Sequence, residues 1–592
     1  MHVRNLENRL NGKLELMNLI PNGSRVAYFS MEIAVNPAMP TYSGGLGILA
    51  GDTLRSAADL GVRMVAVTLL HRKGYFRQHL DENGNQTEVM AGWQPEQFLE
   101  PMKPLTSVTI AGRQVRVKAW RYLIEGITGH VVPVYFLDTA VQENNAWDQT
   151  LTDYLYGGDA YYRLCQEAIL GIGGVTLLPK LGHHHVSSYH MNEGHSALLT
   201  VALVEQHLGG RALQSIVQDD LNAVRHKCVF TTHTPVPAGH DQFPLEMVRN
   251  VLGEDRANAL DHIGALPSPA LNMTELALRA SRYINGVAMH HGEISRSMFP
   301  RYPVRAITNG VHASTWTTPP FQQLYDRHIP EWREDNLYLR YAVGIPIEEI
   351  RQAHRAAKKA LLDEVLRRSG KALDENVLTI GFARRAATYK RADLIFHDRD
   401  RLRWLGSTVG RLQIIFAGKA HPNDQGGKEL IRKITEHAHA LSDSIKIIYL
   451  EDFDWQWAPM LYSGVDLWLN TPKRPQEASG TSGMKAALNG VPSLSILDGW
   501  WIEGCFEGTT GWAFADRSQN AGDEVYEAGS LYHKLERIIV PMFYSTPDDY
   551  ARVMRSAIAV NGSFFNTHRM VSQYLANAWD RDEEPASAPH GV

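Results

Sequence analysis

The sequence predicts an α/β protein made of two Rossmann-like domains that face each other across a cleft. Its 592 residues, 44% of them apolar, exceed what one core usually holds, since domains run to roughly 100–200 residues. Short β-branched or apolar runs alternate with helix-forming stretches, the pattern of parallel strands joined by helical crossovers. That alternation occurs once in the first half and again from about Val377.

In the first series RVAYFSM leads to a helix expected to begin near Ala50, in LAGDTLRSAADLG. VRMVAVTLL follows, then VSSYHMN with the helical EGHSALLTVALVEQHL, then KCVF ahead of TTHT. The second series reads VLTIGFA, RLQIIFAGK, SIKIIYLED, VDLWLN and PSLSILDG. Between them the charged stretch from about Leu337 to Ser369 has the apolar spacing of an amphipathic scaffold helix. The expected domains are 1–315 and 316–559, and the polar tail DRDEEPASAPHGV is expected to fray.

A net charge of -5 with pI near 6.6 provides no overall basic field for nucleic acid or an anionic membrane, so the expected partner is a small or neutral molecule. Three cysteines, Cys165, Cys228 and Cys505, have no CxxC spacing. That suits a reducing compartment, the cytoplasm, and speaks against structural zinc. The N-terminus carries charges throughout and no later apolar run approaches roughly 18 residues, so neither a signal peptide nor a membrane span is expected. His183, His184 and His185 are consecutive, but neighbouring side chains of a strand face opposite ways. With no fixed carboxylate or thiol partner in view, no catalytic metal is expected.

Ligands of doubly wound sheets bind beyond the carboxyl ends of the strands, where four constellations fall. Ser43-Gly44-Gly45-Leu46-Gly47 opens a helix, and glycines let backbone N–H groups approach an anion, although they also make plain turns. After VLTIGFA come Arg384, Arg385, Lys390 and Arg391, forks and a point charge suited to phosphate dianions unless they form a solvated helix face. Thr232-His233-Thr234 follows KCVF, and Asn192, Glu193, His195, Asn309 and Trp316 offer hydrogen bonds and a ring face to sugar hydroxyls. The fourth is QEASGTSGMK, Gln476 to Lys485, with a carboxylate, hydroxyls, glycines and an amine ahead of a helix-forming run.

These blocks, in this order from about Val26 to Trp579, resemble the α-glucan (glycogen, starch, maltodextrin) phosphorylases, most specifically in EASGTSGMK and then in YKR. The resemblance implies the GT-B glycosyltransferase architecture, with 1–315 binding glucan, 316–559 binding pyridoxal 5'-phosphate, and a last helix within 560–592 packing back on the first domain. It implies reversible phosphorolysis of terminal α-1,4-linked glucose to α-glucose 1-phosphate, with retention, through the cofactor's phosphate.

By the same resemblance Lys485 carries the cofactor, with Thr481, Ser482, Gly483, Arg384 and Lys390 among its contacts. Arg385 and Lys390 hold substrate phosphate, and His233 meets the glucosyl unit without acting as a base. Gly44, Gly45, Leu46, Asn309, Glu477, Ser479, Gly480, Asn192 and His195 are implied substrate contacts. Asp159 joins them from LYGGDAYYRLCQE, a stretch with Tyr156 and Arg163 that resembles the family's entrance gate. A homodimer is implied as well, whereas the short stretch ahead of RVAYFS, where regulated members carry their control elements, leads us to expect no nucleotide or phosphorylation control.

The chain departs from the family pattern at four places. Arg384 stands for lysine, Glu193 for aspartate and TSGMK for TGNMK, while EDFD (Glu451 to Asp454) replaces ENYR and removes a tyrosine and an arginine expected near the cofactor phosphate. Two other readings stay open: a nucleotide-sugar glycosyltransferase of the glycogen or starch synthase kind, against which Lys485 counts, and a non-catalytic glucan-binding protein. A glycoside hydrolase would need two carboxylates flanking the bond, which Glu477 alone does not provide.

Overall fold

The structure, a computed structural model, describes residues 24–236, 239–264, 270–515 and 522–579. The expectations for the N-terminal 23 residues and for the tail from residue 580 lie outside the described residues.

The first half forms a nine-stranded sheet. Its strands are β1 (Val26–Phe29), β2 (Met64–Leu69), β3 (Glu100–Ile110), β4 (Arg113–Glu125), β5 (Val131–Asp138), β6 (Ser188–Asn192), β7 (Cys228–Thr231), β8 (Tyr283–Gly286) and β9 (Arg305–Ala306). They lie in the order β9-β8-β7-β6-β1-β2-β5-β4-β3. The pairs β3–β4 and β4–β5 are antiparallel and the rest parallel. This antiparallel extension was not among the expected elements; along β3 more and less exposed residues alternate, as on a half-solvated strand.

The second half forms a six-stranded, fully parallel sheet of β10 (Leu378–Ala383), β11 (Leu412–Ala417), β12 (Lys446–Leu450), β13 (Leu467–Asn470), β14 (Ser493–Ile496) and β15 (Gly511–Phe514). Its order, β12-β11-β10-β13-β14-β15, is that of the dinucleotide-binding fold. Strand order reverses at β10/β13 here and at β1/β6 in the first sheet. Crevices open beyond the carboxyl ends at such reversals.

Two expected boundaries move. The helix after the glycine loop spans Gly45–Asp59, not from Ala50, because the glycines themselves form its first turn. Asn336–Gly344 makes 3₁₀ turns, and the scaffold helix runs only over Ile347–Ser369, starting just after Pro346, which has no N–H to donate to a preceding turn.

Buried residues cover both faces of the first sheet. One layer contains Leu49, Leu54 and Phe136 together with Met570, Val571, Tyr574 and Trp579 from the C-terminal segment. Ile558, Ala559 and Phe565 belong with the second sheet's core, so the chain crosses between halves near Asn566. At this crossing a Cβ on Gly310 would lie 2.2 Å from the Asn566 backbone, a contact only glycine permits. Asp59 accepts from the rings of His312 (2.8 Å) and His568 (3.0 Å), tying the helix after the glycine loop, the inter-domain segment and the returning helix together.

A hairpin, Arg77–Leu80 with Gln86–Val89, reaches from the first half to the second. Gln78 donates to the Gly418 carbonyl (3.0 Å) and accepts from the Asp452 amide (2.9 Å). Gln86 donates to the Ala420 carbonyl and accepts from its amide, both at 2.9 Å. Four hydrogen bonds, three of them buried, thus fix the width of the cleft on this side.

Candidate active site

Between the carboxyl ends of the two sheets lies a cavity of about 1400 Å³. Every constellation singled out in the sequence reaches its wall: Gly44 to Leu46, Asp159, His195, His233, Asn309, Arg384, Arg385, Lys390, and Glu477 with Ser479 to Ser482 and Lys485. Asn192 and Gly483 stand behind the wall. A Cβ on Gly483 would sit 2.7 Å from the Trp500 ring, so this glycine allows close helix packing.

The loop after β10 brings its cations to the second domain's wall. Arg384 and Lys390 both bind the Glu477 Oε2, at 2.7 and 2.6 Å. Burial alone would raise the Glu477 carboxyl, but the two cations outweigh it and hold the group down at about 2. Glu477 lines the cavity, and its Oε1 makes no hydrogen bond among the described residues. Arg385 is exposed to the cavity and, among the described residues, has no ion pair or hydrogen-bonding partner for its guanidinium. A cation left unpaired beside two others that share a single carboxylate is the group most available to an incoming anion.

Lys485 sits in the helix Ser482–Leu488, 4% exposed, with Nζ 3.8 Å from the centre of the Trp316 ring and 5.5 Å from that of Tyr462. No acceptor among the described residues hydrogen-bonds it. Burial pushes its amine down from 10.5 to about 8, with the Asp52 charge opposing. Asp52 in turn accepts from the Trp316 indole at 2.7 Å, which fixes the ring over the amine. The Ser479 hydroxyl nearby is buried without a partner, an atom awaiting a ligand.

Across the cleft, the glycine loop is shaped by Glu32 at the end of β1. Its Oε2 accepts from the Ser43 amide (2.6 Å) and the Gly44 amide (3.3 Å). The Gly44 amide is therefore already taken by an internal carboxylate. The amides of Gly45 and Leu46, in the helix's first turn, are not hydrogen-bonded to any described residue.

The loops after β6 and β7 meet at His233. Its Nε2 lies 2.6 Å from the Asn192 Oδ1, and Glu193 accepts from the His233 amide (2.8 Å) and the Thr234 hydroxyl (3.0 Å). Burial pushes the His233 ring down to about 3, so it is neutral near pH 7. Glu193 holds φ at +81°, a strained backbone for a residue with a side chain. His195 accepts the Met31 amide at 2.9 Å, and Asp159 caps its helix by accepting from the Tyr162 amide. The Asn309 Oδ1 is buried and unpartnered, while Arg569 of the returning helix donates to its backbone carbonyl.

Sequence reasoning missed Glu32, Asp52 and Arg368. Arg368, at the end of the scaffold helix, lies 4.7 Å from the Trp457 ring centre and lines the wall beside Asp454, within the EDFD departure. Burial pushes the Asp454 carboxyl up, and the charge of Asp452 adds to this. Nothing in a single sequence distinguishes these residues from other charged ones.

Two sheets with opposed strand-order reversals and a cation-lined cavity between them define a two-domain glycosyl-transfer fold. The carbohydrate phosphorylase family model matches residues 253–510. The chain is 39% identical to the maltodextrin phosphorylase of Thermococcus litoralis, covering 93% of this chain and 70% of that protein. Identity is 38% to the glycogen phosphorylase of Mycobacterium tuberculosis (94% and 70%) and 34% to that of Aquifex aeolicus (93% and 85%). The chain belongs to the carbohydrate phosphorylase family.

Proposed function

We propose that this protein is an α-1,4-glucan phosphorylase, which transfers a terminal α-1,4-linked glucose to inorganic phosphate with retention, giving α-D-glucose 1-phosphate and a shortened glucan. The carrying observation is that one cavity joins the unpartnered, buried amine of Lys485 to the cations Arg384, Arg385 and Lys390.

Pyridoxal 5'-phosphate fits the residues present. Lys485 offers a free amine of lowered basicity, Trp316 and Tyr462 present ring faces beside it, and the buried Ser479 hydroxyl lacks a partner. Thr481, Ser482, Arg384 and Lys390 are its further contacts on this reading, with Gly483 packing behind them. When bound, it supplies a phosphate that exchanges a proton with the substrate phosphate beside it.

This chain's own side chains do the rest. Arg385, with the Gly45 and Leu46 amides, binds substrate phosphate and offsets the repulsion between two phosphates in a water-poor cleft. Asn192 Oδ1 accepts the His233 Nε2 proton, which leaves Nδ1 to accept from a sugar hydroxyl. Glu477 Oε1, Asn309 Oδ1 and Gly480 border the same glucosyl unit, with His195 and Asp159 holding the surrounding backbone. Among the described residues no helix is long and apolar enough to cross a membrane, and all three cysteines are free thiols. Free thiols suit a reducing compartment, which favours the cytoplasm, and the family resemblance favours a homodimer, to be checked by sizing.

Stripping pyridoxal phosphate and then restoring it tests the reading. Phosphate-dependent glucose 1-phosphate release from maltodextrin should vanish and return. Release that needs no cofactor, or transfer only from a nucleotide sugar, would contradict it.

A further inference from the structure

We propose that Glu32 is a positioning residue for phosphate: its carboxylate clamps the glycine loop so that the Gly45 and Leu46 amides face the cavity, and ties that loop to the entrance segment at Tyr156. The inference rests on the phosphorolysis reading above and adds a device to it.

Glu32 is 1% exposed and spends both its oxygens on other elements. Oε2 takes the Ser43 and Gly44 amides, and Oε1 takes the Tyr156 hydroxyl at 2.9 Å. A Cβ on Gly47 would lie 2.7 Å from Oε2, so the third glycine of the loop makes room for this carboxylate. Ser43 and Gly44 therefore present their amides to an internal anion, and only the next two remain for an external one.

The Tyr156 end is as firmly held. Its backbone sits at φ +55°, and its ring centre lies 4.9 Å from the Arg163 guanidinium. Arg163 is itself bound to Glu167 (2.7 Å) and Asp241 (3.0 Å). From the second domain Arg385 closes the arrangement: a Cβ on Gly44 would be 3.1 Å from its Nη2. One carboxylate thus joins the end of β1, the glycine loop and the entrance segment, opposite the unpaired guanidinium. Tyr156 can leave its place only by giving up Glu32, and Glu32 holds the loop's orientation towards phosphate.

A residue of purely structural use would lower stability and leave the two substrates' kinetics in proportion. A positioning residue splits them. In the holoenzyme, Glu32→Gln should raise the KM for phosphate about tenfold, the scale of a lost charge-assisted hydrogen bond. The KM for maltodextrin should stay within about twofold on this scale, with cofactor content unchanged. Tyr156→Phe should raise the phosphate KM less, and the double variant should be no worse than Glu32→Gln, because both act through one contact. A phosphate KM within twofold of wild type, equal rises for both substrates, or multiplying effects in the double variant would overturn the proposal.

The rise in melting temperature on adding inorganic phosphate reads the same clamp without turnover. It should shrink in Glu32→Gln and, by less, in Tyr156→Phe; unchanged shifts in both would overturn the proposal. Wild-type protein that shows this phosphate shift but forms no glucose 1-phosphate would sink the reaction reading while leaving the clamp to be judged by the shift alone.

Discussion

Replacing Lys485 with methionine should stabilise the protein once pyridoxal phosphate has been removed, while abolishing cofactor attachment. The amine lies buried over Trp316 with its value down from 10.5 to about 8. At 1.36 kcal/mol per pKa unit, that drop means that folding disfavours the ammonium form by about 3 kcal/mol below pH 8. Because the folded value lies below the unfolded one, the unfolded chain holds more protons between about 8 and 10.5. Wild-type stability therefore rises with pH across that window, whereas Lys485→Met has no such dependence.

Methionine keeps the volume and contact with the indole face. For 592 residues unfolding as one unit, an entropy near 1.2 kcal/mol/K turns the difference into about 2–3 °C. Calorimetry of the two stripped proteins at pH 7 and pH 10 is the assay. The variant should melt higher at pH 7, and its advantage should shrink at pH 10. An advantage that does not change with pH, or a variant less stable at pH 7, would refute the argument that burial of the amine is the cause.

Arg385→Ala removes the unpaired guanidinium and should raise the KM for phosphate 10- to 100-fold, about the value of hydrogen bonds to a charged group, with melting nearly unchanged; initial rates against phosphate check this. His233→Asn should lower kcat/KM for maltodextrin yet leave the acidic limb of the pH profile in place, since the ring titrates only near 3. Gln78→Ala with Gln86→Ala removes the hairpin's side-chain bonds to Gly418, Asp452 and Ala420. The cleft should widen, seen as a larger radius of gyration in solution scattering. Gly310→Ala, which drives a Cβ to 2.2 Å from the Asn566 backbone, should cost at least about 2 kcal/mol in denaturant unfolding.

Much of this architecture is legible in the sequence because local pattern and fold agree. Buried parallel strands leave continuous apolar runs such as VLTIGFA, and the loops after them carry the charges, so Arg384, Lys390 and Lys485 could be tied to one cleft without coordinates. The antiparallel pair β3 and β4 was missed because its half-exposed strands lack that signature, whereas β5, Val131–Asp138, is buried throughout and carries it, and was simply passed over. The helix at Gly45 was placed too late because glycines normally argue against a helical turn, and here the close approach of Glu32 needs them. Tertiary pairing is the part a single sequence hides. Glu477 could be placed near a sugar, but not its bond to two cations. Glu32 lies just past an unremarkable strand, and only the fold sets it against Ser43, Gly44 and Tyr156.

The central claim is tested most directly by phosphorus and proton NMR of maltodextrin incubated with the purified holoenzyme and inorganic phosphate. The predicted result is α-D-glucose 1-phosphate, formed only when phosphate, glucan and bound pyridoxal phosphate are all present. Free glucose, the β anomer, or no phosphorylated sugar would contradict the account.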